Sequence, residues 1–185
     1  MSRSALLVMD VQQGIVDFFV KDPGYVPRLR EAIDAARTAG IPPIFVMVAF
    51  RPGYQELNRR NKALSAIPSG MFTEGHPTTR LHPALGARPG DVVVNKKRAS
   101  AFTGSDLEVV LRSGGIDHLV LTGIATSGVV YATLQQAADL DFQLTVPADG
   151  CLDPDPEVHR VLTAKVFPRM AEVTTVAEWS AAVAK

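Results

Sequence analysis

Residues 121–133 read L-T-G-I-A-T-S-G-V-V-Y-A-T, and this stretch holds the unit on which the fold is built. An apolar run leads into Gly123, small residues follow, and an apolar segment with helical spacing continues from Gly128. A short apolar run bounded by turn residues is typical of a strand buried on both faces. The stretch therefore predicts a strand, a tight turn and a helix in succession.

The same alternation extends along the chain. Six apolar runs are predicted to be strands: 5–9, 43–50, 91–94, 118–122, 142–146 and 172–176. Helices are predicted from near Pro27 to Gly40, from a capping box at Ser105 and Glu108, and over 128–140, 156–167 and 177–185. Residues 51–90, rich in proline and glycine, are predicted to be a long functional insertion.

Parallel strands need crossover connections, which are usually helices, and this pattern supplies them. We predict one α/β domain over 1–185: a three-layer α/β/α, Rossmann-like fold with a doubly wound, mostly parallel six-stranded sheet. Ligands bind such sheets outside the carboxyl ends of the strands. The strand ends are therefore the places to look for a site.

Composition and charge limit the kind of partner. The formal net charge is zero, so nothing favours nucleic acid or an anionic membrane. No apolar stretch approaches the ~20 residues that span a bilayer, and the N-terminal apolar run is too short for a signal peptide. The single cysteine, Cys151, excludes an internal disulfide. We predict a cytoplasmic protein with a small-molecule substrate and no membrane partner.

Three predicted strand ends carry polar or turn residues. Asp10 is either a site residue or a structural cap, and Lys96 either belongs to the site or to a solvated basic run with Lys97. The turn at Gly123 either presents backbone N–H groups to an anion or is an ordinary strand-to-helix turn. Together, an acid, an amine and backbone donors at one sheet edge fit hydrolysis of a small polar molecule.

Four stretches resemble the isochorismatase-like superfamily, which includes cysteine amidohydrolases, nicotinamidases and true isochorismatases: L-L-V-M-D-V-Q (6–12), V-V-V-N-K-K-R-A-S-A-F (92–102), L-V-L-T-G-I-A-T (119–126) and V-V-Y-A-T-L-Q-Q-A-A-D (129–139). The resemblance spans essentially the whole domain and keeps the family's order and spacing. It implies the family's fold and a hydrolase, which acts without a cofactor in this chain.

The resemblance also implies specific site residues. The family's catalytic aspartate falls on Asp10, its lysine on Lys96, and its nucleophilic cysteine on Val129. The family's cis peptide would join Ile124 and Ala125. The backbone N–H groups of Ala125 and Val129 would then form an oxyanion hole.

Valine cannot act as a nucleophile, so the cysteine chemistry of the family is not available at position 129. Cys151 is the only thiol, and Thr126 and Ser127 have hydroxyls in the turn but no histidine within it. True isochorismatases also lack the cysteine and cleave a vinyl ether, with the aspartate as the acid–base group. The resemblance implies that Asp10 would be this acid–base group, provided that burial raises its pKa more than Lys96 lowers it.

Family position also predicts that Gln12, Phe102 and Tyr131 line the pocket, and Arg51 could pair with a substrate carboxylate. The alternatives are core packing for the two aromatic residues and a solvated loop for Arg51. The stretch 49–57 lacks the metal ligands typical of nicotinamidases, so we predict no metal. The family often forms oligomers, and we predict a homodimer or homotetramer.

Three functions are compatible with these residues. The first is a hydrolase that uses Asp10, Lys96 and water without covalent catalysis. The second is a non-catalytic homologue that keeps the pocket for ligand binding. The third is a cysteine amidohydrolase that uses Cys151. We rank them in this order because a binding module has no evident need for a costly buried ion pair.

Overall fold

The computed structural model describes residues 3–65 and 67–184, and a parallel β-sheet lies at its centre. The strands are β1 Ser4–Met9, β2 Pro43–Val48, β3 Val92–Lys96, β4 His118–Ile124, β5 Gln143–Pro147, β6 Cys151–Leu152 and β7 Glu172–Thr174. Six of them follow the order β3-β2-β1-β4-β5-β7, β6 pairs with β4, and every pairing between these strands is parallel. The predicted sheet is confirmed except for its strand number, because the two-residue β6 is too short to leave an apolar run.

The helices are α1 Gln13–Phe19, α2 Tyr25–Thr38, α3 Lys62–Ser65, α4 Leu107–Ser113, α5 Tyr131–Asp139, α6 Pro156–Val161 and α7 Val176–Val183. Residues of α1, α2 and α7 join one apolar cluster and those of α4 and α5 another. Leu7 and Met9 of β1 join the apolar cluster that includes residues of α4 and α5. Their neighbours Leu6 and Val8 point the other way and join the cluster that includes α1, α2 and α7. The three-layer architecture is thus confirmed. None of the helices within the described ranges is long and apolar enough to cross a membrane.

Helix starts are where the structure departs most from the sequence pattern. Helix α2 begins at Tyr25, two residues before Pro27. The capping box predicted for Ser105 and Glu108 is wrong, because α4 begins at Leu107 and the Ser105 hydroxyl instead accepts the Leu107 N–H at 3.2 Å. The start of α7 carries a complete capping box.

Helix α1 was not predicted at all. It has only seven residues, contains Gly14, and has no side-chain cap. Gly14 is needed because a Cβ there would lie 2.6 Å from the Cβ of Thr78 in the insertion. The predicted C-terminal helix is present as α7, while Lys185 lies outside the described residues.

Candidate active site

Asp10 lies directly after β1, at the carboxyl edge of the sheet. Its φ is 59°, a left-handed conformation that aspartate adopts more readily than most residues, and its N–H donates to the carbonyl of Val46 at 2.8 Å. The side chain is buried, with Oδ2 2.9 Å from Nζ of Lys96. Within the described part of the chain, Oδ1 has no hydrogen-bond partner. The predicted carboxylate is therefore buried with one oxygen unused.

Lys96 is the last residue of β3, and β2 lies between β3 and β1 in the sheet. Its Nζ reaches Asp10 and also donates to the carbonyl of Arg98 at 3.0 Å. The neighbouring Lys97 points elsewhere, with its Nζ 3.2 Å from Glu74 in the insertion. The structure thus distinguishes the two lysines: Lys96 pairs with Asp10, and Lys97 ties the insertion to the sheet.

Burial and the neighbouring Lys96 act in opposite directions on the pKa of the Asp10 carboxyl. Burial raises the pKa of Asp10 above the ordinary value of 3.8, and the ammonium of Lys96 opposes only part of that rise. The unpartnered Oδ1 agrees with this direction, because an ionised oxygen buried without a donor is costly. The sequence leaves the balance between burial and Lys96 open, and in the structure burial is the larger effect.

The turn after β4 lies beside Asp10. Gly123 of β4 pairs with Met9 of β1, and Met9 is the residue directly before Asp10. The φ of Gly123 is 145°, and a Cβ on this residue would lie 2.2 Å from the carbonyl oxygen of Met9. Only glycine permits this approach, which brings the turn next to the carboxylate.

The turn itself folds back on one carbonyl. The peptide bond between Ile124 and Ala125 is cis, which is the bond to which the family resemblance assigns that geometry. The Ala125 carbonyl accepts the N–H groups of Gly128 at 3.1 Å and Val130 at 3.3 Å, on either side of Val129. That the N–H groups of Ala125 and Val129 bind an oxyanion stays a prediction.

Comparison with known proteins agrees with this geometry. The family model described as the Isochorismatase domain matches residues 4–178. The chain belongs to the isochorismatase family. The family that the four sequence stretches indicated is thereby confirmed.

Similar isochorismatase-family proteins cover most of the chain. The uncharacterized isochorismatase family protein YecD of Escherichia coli O157:H7 is 32% identical, over 95% of this chain and 93% of YecD. The ureidoacrylate amidohydrolase RutB of Pseudomonas syringae pv. syringae (strain B728a) is 34% identical, over 84% and 73%. An isochorismatase family protein structure from Burkholderia thailandensis is 32% identical, with 98% and 96% covered and a TM-score of 0.88. These relatives agree with the prediction of an isochorismatase-family hydrolase.

Val129, to which the resemblance assigns the cysteine position of the isochorismatase family, is part of the core. The residue is 3% exposed and belongs to the apolar cluster that includes residues of α4 and α5. Its side chain therefore contributes packing, while its backbone stays in the turn.

Two predicted substrate-binding residues have partners within the protein. Gln12 is fully buried: its amide nitrogen donates to the carbonyls of Val48 at 3.0 Å and Thr79 at 2.9 Å, and its oxygen accepts the Val48 N–H at 2.9 Å. Both amide donors are used, so Gln12 joins β2 to the insertion and has no donor left for a ligand. Arg51 is exposed and its Nη1 lies 2.9 Å from Oε1 of Glu56, which supports the loop interpretation.

The two predicted aromatic residues each contact another aromatic ring: Phe102 is buried, and Tyr131 is partly buried against the same apolar cluster. Phe102 is 7% exposed, and its ring lies 6.1 Å from that of Phe142. The ring of Tyr131 stacks on Phe167 with the same 6.1 Å separation of centroids. Each ring thus has an aromatic partner inside the protein, and that Phe102 and Tyr131 line a substrate pocket stays a prediction.

Cys151 lies in β6 and is buried. Its Sγ is 3.6 Å from the carbonyl of Leu121, and burial raises the pKa of the thiol to about 12. A thiolate is the reactive form, so we expect iodoacetamide at pH 8 to alkylate native protein roughly 100-fold or more slowly than urea-unfolded protein. Mass spectrometry of quenched samples measures both rates. Comparable rates in the two states would contradict this burial.

Two contacts with the turn were missed by the sequence analysis. Thr126 Oγ1 lies 2.8 Å from Nδ1 of His159, and the Ser127 N–H donates to Oδ2 of Asp153 at 2.7 Å. The histidine that the turn lacks locally is thus supplied by α6. Thr126 has no exposed surface, so its hydroxyl cannot reach a ligand. Separations of 26 and 33 residues leave no local sequence signal for these pairs.

Two cavities lie away from the Asp10–Lys96 pair. One of about 500 Å³ is formed within the insertion, between Gly53 and Ser69, and an apolar one of about 320 Å³ separates α1 from the insertion. Neither is lined by Asp10 or Lys96. Among residues 3–65 and 67–184, no group of three or more His, Cys, Asp or Glu could hold a metal ion.

Proposed function

We propose that this protein hydrolyses a small polar metabolite by acid–base catalysis with water, without a cysteine nucleophile. The observation that carries the proposal is the buried 2.9 Å contact between Lys96 and Asp10, with the second Asp10 oxygen unpartnered. Removing both groups from water is costly, and a purely structural pair would use both carboxylate oxygens. The unused oxygen therefore keeps a free hydrogen-bonding position inside the protein.

The reaction that fits these groups best is cleavage of a vinyl ether. Protonated Asp10 delivers its proton to the double-bond carbon, which leaves an oxocarbenium centre. Water adds to that centre and returns a proton to the carboxylate, and the resulting hemiketal collapses to an alcohol and a carbonyl compound. Lys96 holds Oδ2, so that Oδ1 carries the proton that moves.

The N–H groups of Ala125 and Val129 would stabilise negative charge on the substrate beside Asp10. Cysteine chemistry has little support: Val129 has no nucleophilic atom, and the Cys151 thiol is buried with its pKa raised to about 12. The RutB relatives act on ureidoacrylate, as their name states, which makes a carbamoyl compound the second substrate class to test.

One observation favours a different function, which is ligand binding without turnover. Val129, to which the resemblance assigns the family's cysteine position, packs in the core, and two cavities lie in the insertion and between it and α1. A protein that has lost its catalysis would keep the fold and the Asp10–Lys96 contact while binding a molecule elsewhere. Turnover is what separates the two functions.

The test is turnover of isochorismate and ureidoacrylate by the wild type and by Asp10→Asn. We expect hydrolysis of one of them, and a loss of about 100-fold or more in kcat on removal of the acid. Since the acid must be protonated, kcat should fall as pH rises through the raised pKa of Asp10. Steady-state assays from pH 5 to 9 measure both effects.

Asp141→Asn is the matched control, because Asp141 also has a positive φ of 62° but is exposed and follows α5. It should retain wild-type kcat and pH profile. A wild type that turns over neither compound, yet is stabilised thermally by one, would establish the ligand-binding alternative. An Asp10→Asn variant as active as Asp141→Asn would rule out the acid role.

A further inference from the structure

The turn that carries the predicted oxyanion donors is held from outside by two side chains. Asp153, after β6, accepts the Ser127 N–H through Oδ2 at 2.7 Å, and His159 of α6 contacts the Thr126 hydroxyl through Nδ1 at 2.8 Å. We call Asp153 and His159 the α6 clamp. Its two contacts fall on consecutive residues of the turn, one on the Ser127 backbone and one on the Thr126 side chain.

The clamped residues lie between the two donors. Ala125 precedes Thr126, and Val129 follows Ser127 by two residues. Only Gly128 has non-helical angles inside the turn, with φ −99° and ψ −105°, so the chain changes direction between the clamp and Val129. A rotation of the Thr126–Ser127 segment would therefore redirect both N–H groups.

We propose that the α6 clamp is a positioning device, which aims the N–H groups of Ala125 and Val129 at the substrate. The effect of the clamp on turnover rests on the proposed function. Its restraint of the turn does not depend on that function. Asp153 acts through the Ser127 N–H and His159 through the Thr126 hydroxyl, and neither touches a reacting atom. The buried Thr126 hydroxyl is a restraint rather than a nucleophile.

The clamp also has a titratable member. Burial lowers the pKa of His159, and the nearby carboxylate of Asp153 offsets part of this. The other charges on α6 are engaged: Glu157 and Arg160 pair at 2.6 Å, and Asp155 caps the helix. Residues 125–130 of the turn carry no charged side chain, and their polar side chains are the hydroxyls of Thr126 and Ser127. In the neutral tautomer that carries its proton on Nε2, Nδ1 accepts the Thr126 hydroxyl proton, whereas the Nδ1–H of the imidazolium donates to the Thr126 oxygen. Protonation of that tautomer therefore reverses this hydrogen bond.

The experiment follows the amide signals of Ser127 and Val129 by NMR from pH 5 to 8 in the full-length protein. In the wild type we expect both signals to shift together with the His159 ring. In His159→Asn, whose amide can occupy the position of Nδ1 but does not titrate, they should stay constant with pH and close to the wild-type values at pH 8. In His159→Leu they should be displaced at every pH.

His118 provides the matched control. It is also half-buried, with its pKa lowered by burial, and lies between two hydroxyls, Ser4 at 2.9 Å and Thr145 at 2.9 Å, at the opposite end of β4. His118→Asn should leave the pH response of the Ser127 and Val129 signals unchanged. A response that disappears in His118→Asn but persists in His159→Asn would overturn the clamp.

Turnover gives the second readout. We expect His159→Leu to lower kcat roughly 10- to 100-fold with little change in KM, and His159→Asn to restore most of it. If the wild type turns over no compound, the proposed function fails while the NMR signals still decide the clamp. If His159→Leu does not fold, His159→Asn and the wild-type titration decide it. Turn signals that do not titrate, or wild-type kcat in His159→Leu, would refute the proposal.

Discussion

Gly123→Ala is expected to destabilise the protein by more than about 3 kcal/mol, because the added Cβ would lie 2.2 Å from the Met9 carbonyl oxygen and 2.9 Å from the Met9 Cβ. Neither contact can be relieved by rotating a flexible side chain, since β1 and β4 are paired in the middle of the sheet. The strands would have to separate at the point where Asp10 meets the turn. Urea unfolding followed by circular dichroism measures the free energy of unfolding.

Gly40→Ala is the control for a glycine that has a positive φ but no steric clash with an added Cβ. Gly40 also has a positive φ, 72°, but a Cβ there would have nothing within 4 Å. Its replacement should cost only about 1 kcal/mol, the penalty of a left-handed alanine. If the two variants lost similar free energies, the close approach of β4 to β1 would not be what requires glycine at 123.

Lys96→Met is expected to destabilise the protein by roughly 3–5 kcal/mol near neutral pH, since it leaves the Asp10 carboxyl buried without its counter-ion. The loss should depend on pH in a defined direction. Without the ammonium, the pKa of Asp10 in the folded state lies further above its ordinary value. Above about pH 3.9 the unfolded state releases the Asp10 proton, whereas the folded state keeps it up to its raised pKa. Between these two pKa values the stability of the variant falls as pH rises, by up to ~1.4 kcal/mol per pH unit.

Urea unfolding at pH 5 and pH 8 tests this direction: the variant should lose more free energy at pH 8. Lys97→Met is the matched control: Lys97 Nζ contacts the Ala49 carbonyl, Glu74 and Glu56, but Glu74 is half exposed and can be hydrated, and Glu56 keeps Arg51 as a partner. It should cost only about 1 kcal/mol with little pH dependence. Adding Asp10→Asn to Lys96→Met should recover part of the loss and remove its pH dependence. Equal losses in the two lysine variants would show that the Asp10–Lys96 contact is not the buried pair described.

The contact between Asp10 and Lys96 could be expected from the sequence, but the neighbours of the other predicted pocket residues could not. Asp10 and Lys96 ended separate predicted strands, and parallel strands place their carboxyl ends at one edge, so their meeting could be expected. Gln12, Phe102 and Tyr131 were assigned by family position, and each has its partners inside the protein. The position of a residue in a motif indicates which strand or helix carries it. It does not indicate which neighbours its side chain contacts or hydrogen-bonds.

The sequence by itself determined the alternation of strands and helices, the family, and the two strand ends that carry Asp10 and Lys96. These could be read from the sequence because apolar periodicity and residue type are local properties. Only the tertiary structure decided that burial outweighs Lys96 at the Asp10 carboxyl and that Cys151 is shielded. It also decided that His159 and Asp153 reach the turn. These outcomes depend on which distant segments exclude water from a group, and folding brings those segments together across dozens of residues.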